Sequence, residues 1–259
     1  MPFLEVGELR THYALQGEKE HPVLVMSNSL GTDFTMWDAQ LEELSRGFRV
    51  LLYDTRGQGQ SSVTPGDYTI GQLGRDVLGL LDALGLDRVN FCGLSMGGMI
   101  GIWLGIHAGG RLRRLVVSNT AACIGTKETW NSRIETVRRD GMKPVAAAVV
   151  ERWFTPGFRA RSVEQVARTR QMLENSPPEG YVSCCAAVRD MDQREEVAEI
   201  KVPTLVIYGS HDPVIPVADA QFLADRIQGS ERVELPAAHL SSVEQPAAFT
   251  EAVREFLSR

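Results

Sequence analysis

Ser95 sits in Gly93-Leu94-Ser95-Met96-Gly97-Gly98, between a short apolar run, Arg88-Val89-Asn90-Phe91-Cys92, and a second one, Met99-Ile100-Gly101-Ile102-Trp103-Leu104. A serine hydroxyl is a weak nucleophile at neutral pH. It attacks when a base within hydrogen-bond reach takes its proton and a third group orients that base. G-x-S-x-G at a strand-to-helix junction is a nucleophile elbow, a sharp turn that presents the hydroxyl at a helix N-terminus. Glycines two residues either side let the two backbones pass closely, and the free N–H groups and dipole of the helix favour negative charge there. At ordinary Gly and Ser frequencies the pattern occurs by chance in roughly one chain in ten of this length, so its partners must decide.

A triad built on such a turn runs in the order Ser, then Asp or Glu, then His. Tyr208-Gly209-Ser210-His211-Asp212-Pro213 follows a strand at 204–208 and offers Asp212 as the acid. Pro236-Ala237-Ala238-His239 follows a strand at 232–235 and offers His239 as the base. The plainer readings are a turn at Asp212-Pro213 and a simple loop histidine. Of the other histidines, His12 and His21 fall at the N-terminal edge, where a polar surface role is expected. His107 lies deep in the elbow helix, as a packed or last-turn residue, and His211 precedes the last strand. The oxyanion of an acyl-transfer intermediate needs two N–H donors. Met96, the residue after the nucleophile, supplies one; the loop Ser27-Asn28-Ser29-Leu30-Gly31-Thr32-Asp33 supplies the other, with Leu30 as donor and Gly31 letting the loop fold back.

Three residues so far apart in the chain must be brought to one edge of a sheet. Strands are expected at 3–6, 9–15, 23–26, 48–54, 88–92, 112–118, 204–208 and 232–235. Helices are expected around 36–46, at 69–84, after Ser95, at 216–228 and at 246–258. Ile70, Leu73, Val77, Leu80, Leu81 and Leu84 form the stripe of an amphipathic helix. Alternating strands and helices give an α/β fold: a mostly parallel eight-stranded sheet flanked by helices. Residues 121–197 hold no strand, only helical patterns broken by Gly141, Pro144, Pro156-Gly157 and Pro177-Pro178. They are expected to form a helical cap inserted after the sixth strand, over the strand C-terminal ends where ligands bind; the alternative is a decoration without a binding role. The expected division is a core of 1–120 and 198–259 with a cap of 121–197, one structural domain overall.

At 259 residues, 43% hydrophobic and 23% charged, the chain has the length and composition of one globular α/β domain. A formal net charge of −6, with no basic stripe, argues against a nucleic-acid partner. The loop Asp54-Thr55-Arg56-Gly57-Gln58-Gly59-Gln60-Ser61 resembles a phosphate cradle, but Ser62 breaks the glycine pattern. It reads as a structural loop held by Asp54 and Arg56. No P-loop, zinc-ligand or haem motif is present. Cys92, Cys123, Cys184 and Cys185 show neither C-x-x-C spacing nor a disulfide framework and read as reduced thiols. The start Met1-Pro2-Phe3-Leu4-Glu5 has no secretion-signal pattern, and no apolar run reaches membrane-spanning length. A soluble, cytoplasmic protein without a membrane partner is expected, with monomer and homodimer both open.

On these residues the chain resembles the α/β-hydrolase superfamily over nearly its whole length and, within it, the 3-oxoadipate enol-lactonases. The resemblance is carried by Ser27–Asp33, by Tyr53-Asp54-Thr55-Arg56-Gly57, by Gly93–Gly101 and by Ala238-His239-Leu240-Ser241-Ser242-Val243-Glu244-Gln245-Pro246. Most of the superfamily places His-Gly where Asn28-Ser29 stands, and Asn-Ser-Leu-Gly-Thr-Asp is similar to the enol-lactonase form. Gln58 stands where Arg-Gly-His-Gly is commoner, a departure not expected to touch the chemistry. The resemblance implies hydrolysis of a small anionic lactone, a butenolide with an acetate arm, in the β-ketoadipate pathway of aromatic-compound breakdown. It implies attack by Ser95, an acyl-enzyme intermediate, and no metal or organic cofactor. A substrate carboxylate entering an acidic protein needs a local cation, and Arg matches carboxylate geometry with two parallel hydrogen bonds. The expectation is that Arg133 pairs with it while Trp130 and Trp153 wall the pocket; the alternative is a solvated helix arginine. Fold does not fix function. The scaffold also suits a carboxylesterase, a carbon–carbon bond hydrolase or a perhydrolase, and, from another class, a non-catalytic ligand receptor. Ser95 in place of an elbow Asp counts against dehalogenases and many epoxide hydrolases.

Overall fold

Eight strands, β1 (Phe3–Val6), β2 (Leu9–Gln16), β3 (Val23–Ser27), β4 (Arg49–Tyr53), β5 (Val89–Leu94), β6 (Leu112–Ser118), β7 (Thr204–Gly209) and β8 (Glu231–Leu235), form one sheet in the order β1-β2-β4-β3-β5-β6-β7-β8. The computed structural model describes residues 2–259, and Met1 lies outside them. From β4 to β8 every pairing is parallel. All six residues of β5 are buried, as expected of a strand covered on both faces.

The helices of the core are α1 (Asp38–Leu44), α2 (Ile70–Ala83) and α3 (Met96–His107) before the sixth strand is reached. In α2 the expected stripe Ile70, Leu73, Val77, Leu80 and Leu81 is buried, and Thr69 caps the first turn by accepting from the Gln72 N–H. Such a cap satisfies one of the orphan donors of a helix start. Between β6 and β7 the chain forms five helices, α4 (Lys127–Asp140), α5 (Met142–Trp153), α6 (Pro156–Arg161), α7 (Val163–Glu174) and α8 (Pro178–Arg189). After them come α9 (Val217–Arg226), α10 (Ser241–Glu244) and α11 (Pro246–Leu257). Helices α5 and α8 touch the loops at the strand C-terminal ends: the Leu240 N–H donates to the Trp153 carbonyl (3.1 Å), and the Tyr68 N–H to the Ser183 carbonyl (3.1 Å). Among the described residues no helix is long and apolar enough to cross a membrane.

The N-terminal hairpin corrects one expectation. Its outer strand is β1, while β2 lies one strand in, antiparallel to both β1 and β4. His12 is therefore not a surface residue. It is buried, its ring lies between Phe3 and Phe34 with centroids 5.0 and 4.8 Å away, and its Nδ1 is 2.7 Å from Asp54 Oδ2. His21 is half-buried and His107 ends α3, exposed. The 54–61 loop is held by its charged ends. Arg56 makes a two-pronged ion pair with Asp76 at 2.7 and 2.6 Å, while Asp54 accepts from the Phe34 and Gln60 N–H groups.

Register explains how the sheet places the chemistry. Ser27 pairs with Gly93, Leu94 with Ser118, Ser118 with Ile207 and Gly209 with Leu235. Strands β3, β5, β6, β7 and β8 thus end together. The residues that follow them, the 28–33 loop, Ser95, Asn119, Asp212 and His239, fall on one edge.

Candidate active site

Ser95 has φ 57° and ψ −116°, a strained conformation for a residue with a side chain. Such strain persists only where the surroundings over-determine it. Here the Ser95 N–H donates to the Ser118 carbonyl (2.9 Å), and the Ser95 carbonyl accepts from the Met99 N–H (3.0 Å) and the Thr120 hydroxyl (2.7 Å). The flanking glycines are required by space. A Cβ on Gly93 would lie 2.1 Å from the Gly97 carbonyl oxygen, and one on Gly97 would lie 2.1 Å from that of Ser27.

Ser95 Oγ lies 3.0 Å from His239 Nε2, and His239 Nδ1 lies 2.9 Å from Asp212 Oδ2. All three residues are buried. An ionised carboxylate only accepts, so the proton of a neutral imidazole belongs on Nδ1 and the lone pair on Nε2 faces the serine hydroxyl. Asp212 fills its remaining sites with the Val214 and Ile215 N–H groups (2.8 and 3.0 Å) and the Asn119 side-chain amide (3.0 Å). Burial raises the Asp212 carboxyl, but the charge and hydrogen bond of His239, the Asn119 amide and the Ile215 N–H together outweigh it. Its pKa ends below the ordinary value.

Sequence reasoning missed Asn119. Its φ of 43° is left-handed, and its Oδ1 accepts from Ser118 (2.9 Å) and Ser241 (2.6 Å), which aims the amide at Asp212. The available signal was a polar residue directly after β6, on the edge shared with Ser95.

The serine opens on a cavity of about 30 Å³ lined by Leu30, Met96, Trp130, Arg133, Trp153 and Tyr181, along with His239 and apolar side chains. Among the described residues, neither the Leu30 nor the Met96 N–H donates to another protein group, which leaves both for an oxyanion. Trp130 and Arg133 stand three apart on α4, on one face, with the guanidinium 4.7 Å from the indole centroid. The Trp153 ring is 5.9 Å from that of His239. Arg139, Arg168, Arg170 and Arg189 of the same helical segment each pair with a carboxylate. Arg133 pairs with none among the described residues. It faces Tyr181, whose hydroxyl is pushed up by burial and eased back by the charges of Arg133 and Arg152. Tyr181 carried no sequence signal, because its role depends on where α8 meets α4. Among the described residues no group of three His, Cys, Asp or Glu is placed to hold a metal ion.

Residues 22–246 match a family model described as the alpha/beta hydrolase fold. The chain is 44% identical to 3-oxoadipate enol-lactonase 2 of Acinetobacter baylyi, over 99% of this chain and 96% of that one. It is 41% identical to 3-oxoadipate enol-lactonase 1 of the same organism, over 94% and 91%. The crystal structure of an enol-lactonase from Burkholderia xenovorans superposes with a TM-score of 0.98 at 45% identity, covering all of both chains.

Proposed function

Because the chain belongs to the α/β-hydrolase family, we propose that this ester hydrolase opens 3-oxoadipate enol-lactone to 3-oxoadipate, using Ser95, His239 and Asp212. The observation that carries the reading is one cavity lined by both the Ser95–His239 pair and an arginine without a carboxylate partner. The near-full-length likeness to named enol-lactonases supports the substrate.

In this reading Ser95 Oγ attacks the lactone carbonyl as its proton passes to His239 Nε2. Asp212 holds the imidazole in the required tautomer and stabilises the imidazolium. The tetrahedral oxyanion lies between the Leu30 and Met96 N–H groups. Collapse breaks the ring C–O bond. The leaving oxygen is an enol, a better leaving group than an alkoxide; it takes the proton from His239 and tautomerises to the ketone. Water, deprotonated by His239, then attacks the acyl-enzyme, and the proton returns to Ser95 Oγ as the acid leaves. Arg133 pairs with the acetate carboxylate, and Trp130 and Trp153 flank the ring.

The test follows loss of the lactone's ultraviolet absorbance, beside hydrolysis of p-nitrophenyl acetate. The wild type turns over the lactone fast and the ester slowly, and Ser95→Ala does neither. Arg133→Ala raises KM for the lactone by about 10- to 100-fold, the worth of a charge-assisted hydrogen bond, and leaves the neutral ester unchanged. Good ester turnover with an inert lactone overturns the substrate. An unchanged lactone KM in Arg133→Ala overturns the role of Arg133.

A further inference from the structure

The Leu30 N–H is half of a peptide group whose other end is the Ser29 carbonyl. A trans peptide is planar, and its C=O and N–H point in opposite directions. Whatever fixes the Ser29 carbonyl therefore aims the Leu30 N–H. That carbonyl accepts twice from one residue: from the Thr32 hydroxyl at 2.8 Å and from the Thr32 N–H at 3.2 Å. The second bond closes a four-residue turn over Ser29–Thr32. Gly31, at φ +81°, holds the left-handed third position of a type II turn. The turn is pinned from outside as well. A Cβ on Gly31 would lie 2.7 Å from Leu173 and 2.8 Å from Tyr181, and the Gly31 N–H donates to Gln58 Oε1. Thr32 itself is buried, and its hydroxyl also reaches Met36 Sδ at 3.1 Å.

We propose that Thr32 is a positioning residue for the oxyanion hole: its hydroxyl clamps the Ser29 carbonyl and so holds the Leu30 N–H on the line toward the oxygen that becomes negative. The backbone bond to that carbonyl is the longer of the two, at 3.2 Å against 2.8 Å. The hydroxyl adds a second anchor on the same oxygen. Preorganised donors cost no reorganisation as charge develops, so the clamp acts in the transition state and leaves ground-state binding alone. The inference rests on the reading of Leu30 as an oxyanion donor, but not on the identity of the substrate.

The variants are Thr32→Val, a near-isostere without the hydroxyl, with Thr32→Ala as a second hydroxyl-less form and Thr32→Ser, which restores it. Thr32→Val lowers kcat about 10- to 100-fold, less than or comparable to loss of a whole oxyanion donor. The factor is the same for the lactone and for p-nitrophenyl acetate, with each KM within about two-fold. Phenylboronic acid, whose boron accepts the Ser95 oxygen to form a tetrahedral anion, binds more weakly by that factor. Thr32→Ser keeps kcat within about three-fold of wild type. An ester kcat within two-fold of wild type in folded Thr32→Val overturns the proposal. So does a rise in KM without loss of kcat, or failure of both hydroxyl-less variants to fold, which would assign the hydroxyl to stability. A lactone that the wild type ignores, beside an intact ester response to Thr32→Val, overturns the substrate reading and leaves this proposal standing.

Discussion

Among the described residues two histidine–aspartate pairs are buried, and one of them meets a serine hydroxyl. The His239–Asp212 pair has Nδ1 and Oδ2 2.9 Å apart; in the His12–Asp54 pair the same atoms are 2.7 Å apart. Distance within the pair does not distinguish them. The far side of the imidazole does: His239 Nε2 lies 3.0 Å from Ser95 Oγ, whereas among the described residues no hydroxyl or thiol hydrogen-bonds the His12 ring, whose one partner is Asp54. The two carboxylates differ as well. Asp212 takes four donors, including the Asn119 amide, and its pKa ends below the ordinary value. At Asp54 burial wins over the Gln60, His12 and Phe34 hydrogen bonds, Asp33 adds like charge, and the pKa ends above it. In the proposed mechanism the first pair supplies the base. The other ties β2, Phe34 after the 28–33 loop and the 54–61 loop into one unit.

The largest expected contrast is between Asp212→Asn and Asp54→Asn. The first lowers kcat by about 10⁴, because the imidazole loses its required tautomer. The second keeps kcat within about ten-fold. Both cost stability in urea unfolding, about 2–4 kcal/mol for Asp54→Asn, since in each the new amide presents a donor to groups that need an acceptor, so activity is what separates them. Equal losses of activity in the two variants would erase the distinction.

A smaller effect carries the same contrast in its sign. Folding favours ionised Asp212, so its contribution to stability is present above the unfolded pKa and is lost as pH falls through the lowered folded value. For Asp54 the order reverses: its contribution is full below the unfolded pKa and is lost as pH rises through the raised folded value. Unfolding between about pH 3 and 6 should therefore show the wild-type minus Asp212→Asn stability rising with pH. The wild-type minus Asp54→Asn stability should fall. Slopes of the same sign would contradict the electrostatic reading.

The sheet is legible in the sequence because its central strands are mostly apolar runs and α2 shows a clear stripe. Ser95, Asp212 and His239 could be set on one edge because each follows a strand and parallel strands share their C-terminal side. His12 was misread for the complementary reason. Its partners, Phe34 and Asp54, come from loops 22 and 42 positions away, and period-two alternation says nothing of which loop folds over a strand. Asn119 escaped notice because its worth lies in a side-chain bond between the ends of β6 and β7. Trp130 and Arg133 share a helix face by spacing alone, but only the packing of α4 against α8 turns that face toward Ser95.

The most direct measurement is intact-protein mass spectrometry after a fluorophosphonate probe, applied to wild type, His239→Ala and His12→Ala. The account predicts one adduct, on Ser95, in wild type and in His12→Ala, and essentially none in His239→Ala. Undiminished labelling of His239→Ala, or loss of labelling in a folded His12→Ala, would contradict it.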